Sequence, residues 1–300
     1  MTNNLIKILE ARSNKNFKVE PVYIYSKNYE LLTLFLKKQK YINYKNIFKI
    51  IEKKFLPDMP IGNIMFDING KIVGFLGTKY SNRIVIGKKV LQCCLHTWIV
   101  NISCRLYSYK LIIPIINKNI FIFTFTPIKQ LVGLYKKMGF ENKILFAKIN
   151  FIFPYFNLVN NTKNNFNISP NSFYNFLSSY DQTIFNDHNN KDLIFLFYKD
   201  NSKSNEYLYI IAKKTYKKLF PCLELLYISN KKIYNLNYKN INFFFLKKYK
   251  TLFIIDYIYN EKNLFHSRSR TFSLIKKRDI CFINIPKNFY FDCLYSEFVC

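Results

Sequence analysis

The sequence predicts an α/β (α+β) fold: a mixed, mostly antiparallel sheet flanked by helices, followed by a second, smaller α/β unit. Three observations lead there. From Gly62 to Val100 β-type runs are broken by turn pairs at Asn69-Gly70, Ser81-Asn82 and Gly87-Lys88, the pattern of paired strands. A helical stretch and another β-rich run then follow, an order in which a crossover connects two parallel strands. Beyond a polar stretch at Asn160–Asn167, short apolar runs return between helical ones. The boundaries read as 1–158 and 168–300. With 300 residues, 50% of them hydrophobic, the chain can bury one large core or two ordinary ones.

Residues 1–60 carry one clear signal. Between Tyr44 and Leu56, Ile47, Phe48, Ile50, Ile51 and Phe55 recur at helical spacing, and Pro57 ends the run. From Gly62 the pattern turns to β. Ile64–Ile68 leads into an Asn69-Gly70 pair suited to a tight hairpin, then Lys71–Lys79. A turn at Ser81–Asn82, a short strand Arg83–Ile86, a turn at Gly87-Lys88 and a long strand Lys89–Val100 follow. Leu106–Asn117 reads as a helix bent or ended early by Pro114, Ile120–Phe125 as a strand, and Pro127–Met138 as a helix with Gly139-Phe140 at its exit. Leu145–Phe153 returns as a strand.

In the second half, strands are expected at Leu193–Tyr198, Tyr207–Ala212, Leu223–Ile228, Leu252–Ile255 and Ile280–Ile283, with helices near Ser172–Ser179 and Tyr238–Lys247. All seven glycines lie between Gly62 and Gly139, so this half has no glycine with which to build a phosphate-cradling loop.

The formal net charge of +28 invites a nucleic-acid reading. Only Arg12, Arg83, Arg105, Arg268, Arg270 and Arg278 are arginine, however, and the lysines are dispersed among abundant Asn, Ile, Phe and Tyr. That set shares A- and T-rich codons, so base composition accounts for the charge without a ligand, and each arginine stands where lysine is the default. Seven cysteines show neither CxxC spacing nor clustering with the three histidines, which argues against a metal site. Met1-Thr-Asn-Asn-Leu-Ile-Lys7 lacks the apolar core of a signal peptide, and no apolar run reaches the about 20 residues of a membrane span. A cytoplasmic protein with reduced thiols is the expectation.

The chemistry-bearing motifs come in a fixed order. Thr97-Trp98-Ile99-Val100 closes a strand, and Arg105-Leu106-Tyr107-Ser108 opens the crossover. Thr126-Pro127 and Gly139-Phe140 bracket the next helix. Asp187-His188 and Tyr295-Ser296-Glu297 follow in the second half. As an ordered set spanning about residues 45–300, they resemble the GNAT superfamily of acyl-CoA N-acyltransferases, and within it a divergent bacterial GNAT-like group with a C-terminal extension.

The resemblance implies a GNAT-like sheet, acyl-CoA as co-substrate, an amine as acceptor and no metal. It places the cofactor on Ile99, Val100, Arg105, Leu106, Tyr107, Ser108 and Tyr109, with the pyrophosphate on backbone N–H groups at the start of the crossover helix. The family's two loop glycines are replaced here by Ser108 and Lys110, whose side chains narrow the approach of a phosphate.

For the general base, His96 and His188 are candidates, and a water chain is the third. Tyr135 matches the position from which GNAT enzymes reprotonate the leaving thiolate. Each has a plain structural counterpart: a core histidine at 96, a polar turn around Asp187-His188, and a chance tyrosine at 135. By simple alternation His96 shares a strand face with Trp98. The leading function is an acyl-CoA-dependent N-acyltransferase. The rivals are a catalytically degenerate CoA-binding or interaction protein, and a basic nucleic-acid-binding protein.

Overall fold

The structure is a computed structural model that describes residues 17–40, 42–85, 88–118, 120–125, 127–151, 166–167, 169–189, 192–199, 206–217, 220–258, 273–286 and 293–296. The sequence readings on Thr126, His266, Arg268, Arg270 and Glu297 lie outside these residues, as do 160–165 of the polar stretch.

The first half opens with two elements that carry little sequence signal. Strand β1 (Lys18–Val22) pairs antiparallel with β2 (Gly62–Phe66). Helix α1 (Lys27–Lys37) starts where the Ser26 side chain accepts from the Tyr29 N–H, a cap worth about 1 kcal/mol, and it buries Leu32, Phe35 and Leu36. Helix α2 (Tyr44–Glu52) buries Ile47 and Ile51 from the expected stripe. Strand β3 (Ile72–Val85) pairs antiparallel with β2 and with β4 (Lys88–Val100). The turn expected at Ser81–Asn82 does not form. Ser81 is buried and accepts a 2.9 Å hydrogen bond from Gln92 Nε2, which holds the ladder closed through the polar pair.

The crossover is a 3-10 helix (Ile102–Leu111) and a short α3 (Ile113–Ile116) rather than one helix, with Pro114 in the first turn of α3. Strand β5 (Phe121–Thr124), helix α4 (Lys129–Lys137) and strand β6 (Glu141–Phe151) complete this half.

The second half repeats the order. Strand β7 (Phe166–Asn167), α5 (Pro170–Phe173), a 3-10 turn (Tyr174–Phe176) and α6 (Ser179–His188) precede an antiparallel set, β8 (Leu193–Lys199), β9 (Tyr207–Lys217) and β10 (Phe220–Ile228). Helix α7 (Lys231–Tyr249) crosses to β11 (Phe253–Ile258), parallel to β10, and β12 (Ser273–Ile283) ends the sheet elements.

All twelve strands form one sheet in the order β1-β2-β3-β4-β5-β12-β6-β11-β10-β9-β8-β7. The last strand of each half is exchanged. β6 leaves β5 and pairs with β11, β12 pairs with β5, and β6 and β12 pair with each other over ten positions from Ser273↔Asn150 to Phe282↔Glu141. The halves are therefore joined by backbone hydrogen bonds as well as by side-chain packing.

Four apolar clusters cover the two faces. In the first half, one face packs Leu76, Leu95, Tyr109, Leu111 and Tyr135 beneath the crossover and α4, and the other packs Ile64, Phe75 and Ile99 beneath α1 and α2. In the second half α7 covers one face, and α5 and α6 cover the other.

Candidate active site

β4 and β5 are parallel neighbours only from Gln92↔Phe121 to Cys94↔Phe123. Beyond Cys94 they diverge, six residues before Val100, and no described strand fills the gap. A cleft of about 80 Å³ opens there, between His96, Thr97 and Trp98 of β4, Thr124 of β5, and Leu131 and Tyr135 of α4. The unpaired edge of β4 from Leu95 onward borders it.

A β-bulge shapes the cleft wall. Gly77 opposes His96 and Leu76 opposes Trp98, so Thr97 is an extra residue with no partner on β3. Thr97 sits in the left-handed region at φ 46, a conformation that costs a β-branched residue about 1–3 kcal/mol. One extra residue reverses the alternation. Trp98 thus falls on the face of Leu76 and Leu95, toward the crossover and α4, while His96 falls on the face of Gly77 and Phe75. The shared face expected from two-residue spacing is corrected: the two side chains approach one opening from opposite sides of the sheet.

His96 is buried, and its Nδ1 lies 3.0 Å from Thr97 Oγ1. Its Nε2 is buried without a partner among the described residues. Burial, reinforced by the neighbouring Lys79 ammonium, pushes its pKa down to about 3, so the ring is neutral at working pH. On the other face the Trp98 indole Nε1 is likewise buried without a partner among the described residues. The Trp98 ring stands edge-on to Tyr135 at 5.4 Å.

Tyr135 is held from behind by the helix exit. Gly139 N–H bonds Lys136 O and Phe140 N–H bonds Tyr135 O, both at 3.0 Å, with Gly139 at φ 88. This is a Schellman cap, and the Phe140 ring packs 5.0 Å from Tyr135. The Gly-Phe pair read in the sequence is thus the device that seats Tyr135.

The residues assigned to the cofactor scatter. Ile99 and Val100 are buried on opposite faces. Arg105 is exposed, Leu106 is 86% exposed, and Tyr107 is half-buried with its ring 4.8 Å from Phe17. Ser108 and Tyr109 are buried beneath the 3-10 helix. Arg105 and Leu106 are the exposed residues of this set, at the start of the crossover.

His188 does not line the cleft. It is fully buried in the last turn of α6, with Nδ1 2.9 Å from Ile184 O and Nε2 2.9 Å from Leu294 O. Asp187 accepts from the Tyr295 hydroxyl at 2.6 Å, and Phe55 packs against both His188 and Tyr295. Asp187-His188 and Tyr295-Ser296 are therefore two sides of one structural contact.

The second half has a matching splay. β10 and β11 pair only from Cys222↔Phe253 to Glu224↔Ile255, and β10 carries its own bulge at Leu226. Cys293 N–H reaches Leu226 O at 3.4 Å, which puts Cys293 beside this bulge.

No protein-family profile and no curated protein matches the chain. Solved structures do. A GCN5-related N-acetyltransferase from Anabaena variabilis superposes with a TM-score of 0.58 at 13% identity, over 89% of this chain and 72% of that one. One from Kribbella flavida gives 0.58 at 7% identity, over 89% and 71%. The Saccharomyces cerevisiae N-myristoyltransferase, solved with bound myristoyl-CoA and inhibitors, gives 0.53 at 10% identity, over 92% and 83%. At such identities the likeness is one of architecture, and the architecture of this chain is a GNAT-like fold.

Proposed function

We propose that the protein is an acyl-CoA-dependent N-acyltransferase that transfers an acyl group to an amine. The observation that carries this reading is the cleft at the splay of β4 and β5, lined by Trp98, Leu131 and Tyr135 on one face and bordered by His96 from the other. An acyl thioester enters from the face of Trp98 and Tyr135, its amide-bearing arm lying along the unpaired edge of β4 as an added strand. The amine enters from the face of His96. A neutral His96 Nε2 accepts a hydrogen bond from the attacking nitrogen without repelling a cation. The amine nitrogen adds to the carbonyl carbon and loses a proton to water, the tetrahedral oxyanion collapses with loss of the C–S bond, and the thiolate takes a proton from water or from Tyr135, which water then reprotonates.

Residues 168–300 act as a degenerate second copy, with Cys293 set against the bulge of β10. His188 serves this contact rather than the chemistry.

A second reading, CoA binding without turnover, is favoured by the crossover itself. It is a 3-10 helix with side chains at Ser108 and Lys110 and an exposed Arg105, a weaker cradle for pyrophosphate than an α-helix N-terminus after glycines. Thiol release from acetyl-CoA in the presence of a panel of amines separates the two readings. Amine-dependent release supports the enzyme; calorimetric CoA binding with no release supports the second.

A further inference from the structure

Seven buried side-chain polar atoms lack a hydrogen-bond partner among the described residues, and two of them, His96 Nε2 and Trp98 Nε1, belong to residues lining the same cleft. The indole is the more telling of the two. An imidazole nitrogen can serve as donor or acceptor, whereas the indole N–H only donates. Its unmet need is for an acceptor lone pair, and leaving a buried donor without one costs about 1–3 kcal/mol. The ring is not loosely placed. Tyr135 stands edge-on against it, the Schellman cap at Gly139 seats Tyr135, and the Thr97 bulge turns Trp98 onto this face.

We infer that Trp98 is a catalytic residue whose indole N–H donates to the carbonyl oxygen of the acyl group. This rests on the acyltransferase reading. The thioester comes from the Trp98 face, so its carbonyl oxygen is the acceptor that this donor lacks. When the amine lone pair forms the N–C bond, the carbonyl π electrons move onto oxygen, and the indole N–H bonds the resulting oxyanion. The electrons return as the C–S bond breaks and the pair leaves on sulfur. The indole keeps its proton throughout. A donor fixed in advance in a water-poor site favours the charged oxygen over the neutral carbonyl, which makes its contribution one to kcat. Backbone N–H groups of residues 99–102 lie past the bulge, and that of Asn101 is already bonded to Val73 O.

Two measurements test this. Trp98→Phe keeps an aromatic ring against Tyr135 and removes the N–H. Its kcat is expected to fall about 10²–10³-fold with KM for acyl-CoA changed only a few-fold. The second leaves the fold untouched. The chain has a single tryptophan, so 5-fluorotryptophan labelling gives one ¹⁹F resonance, that of residue 98. Acetyl-CoA should shift it, and ethyl-CoA, a thioether without the carbonyl, should shift it far less. Full kcat in Trp98→Phe, or equal shifts with the two ligands, overturns the assignment while leaving the acyltransferase reading in place. Wild-type protein that neither binds CoA by calorimetry nor releases thiol takes down the reading and the assignment together.

Discussion

The imidazole of His96 lies directly over Gly77: a Cβ built on that glycine would stand 2.4 Å from Cε1 and 2.6 Å from Nδ1 of the ring. Gly77 is the β3 partner of His96 next to the bulge, so the missing side chain is the space the ring occupies. Gly77→Ala is expected to push the ring out of the cleft wall, destabilising the fold by about 1–3 kcal/mol and lowering turnover. Gly133, in the interior of α4 with nothing near its Cβ position, is the contrast. Gly133→Ala should stabilise by about 0.5–1 kcal/mol. Urea melts of both variants check the opposite signs.

Stability should fall in acid partly through His96. Its pKa drops from about 6.5 in the unfolded chain to about 3 in the folded protein, so below pH 6.5 the unfolded state binds more protons. The stabilisation is complete above pH 6.5 and is lost as pH falls toward 3. Between pH 7 and 4 this amounts to about 3 kcal/mol. Wild type should therefore lose about that much more than His96→Gln over the same interval in denaturant titrations, and equal losses would refute it.

Turnover should not titrate on His96. A ring that stays neutral down to about pH 3 gives no inflection between pH 6 and 7.5. The rate at saturating acyl-CoA should instead rise with deprotonation of the acceptor amine, shifting upward when an α-amino acceptor (pKa about 8) is replaced by an alkyl amine (about 10.4). A fixed inflection near 6.5 for every acceptor would return the role to a titrating histidine.

The Gly139 cap should matter to catalysis at a distance. An alanine at φ 88 costs about 1–2 kcal/mol, and relief by unwinding the last turn of α4 moves Tyr135. Gly139→Ala should lose thermal stability and turnover together, while acyl-CoA affinity changes less. Unaltered kcat in a correctly destabilised variant would mean that Tyr135 is not needed in place.

Arg105 is exposed, so its contact with pyrophosphate is screened. Arg105→Ala should weaken CoA by about 1 kcal/mol at low salt, a difference that shrinks as salt is raised. Calorimetry at two ionic strengths decides this, and identical affinities at low salt would place the pyrophosphate elsewhere.

Local signals were enough for much of the fold. The Gly139-Phe140 exit, the Asn69-Gly70 turn and the run of antiparallel strands into a crossover are encoded within a few residues each, because turn and cap preferences depend on backbone conformation at single positions. They carried the sheet class, the parallel β4–β5 pair and the place of Tyr135. Strand β1 is short and carries Pro21, and in helix α1 Leu31, Leu32, Leu34, Phe35 and Leu36 run almost without a polar break, so periodicity alone assigns neither element.

What only the tertiary structure decided depends on register and long-range pairing. The extra residue at Thr97 can be counted only against β3, yet it sends His96 and Trp98 to opposite faces. The exchange of β6 and β12 pairs residues more than a hundred positions apart. His188 looked like a candidate base beside Asp187, but Leu294, 106 residues further on, takes one of its nitrogens. A sequence states which groups are present; which donor is left without a partner emerges only once the chain has closed around it.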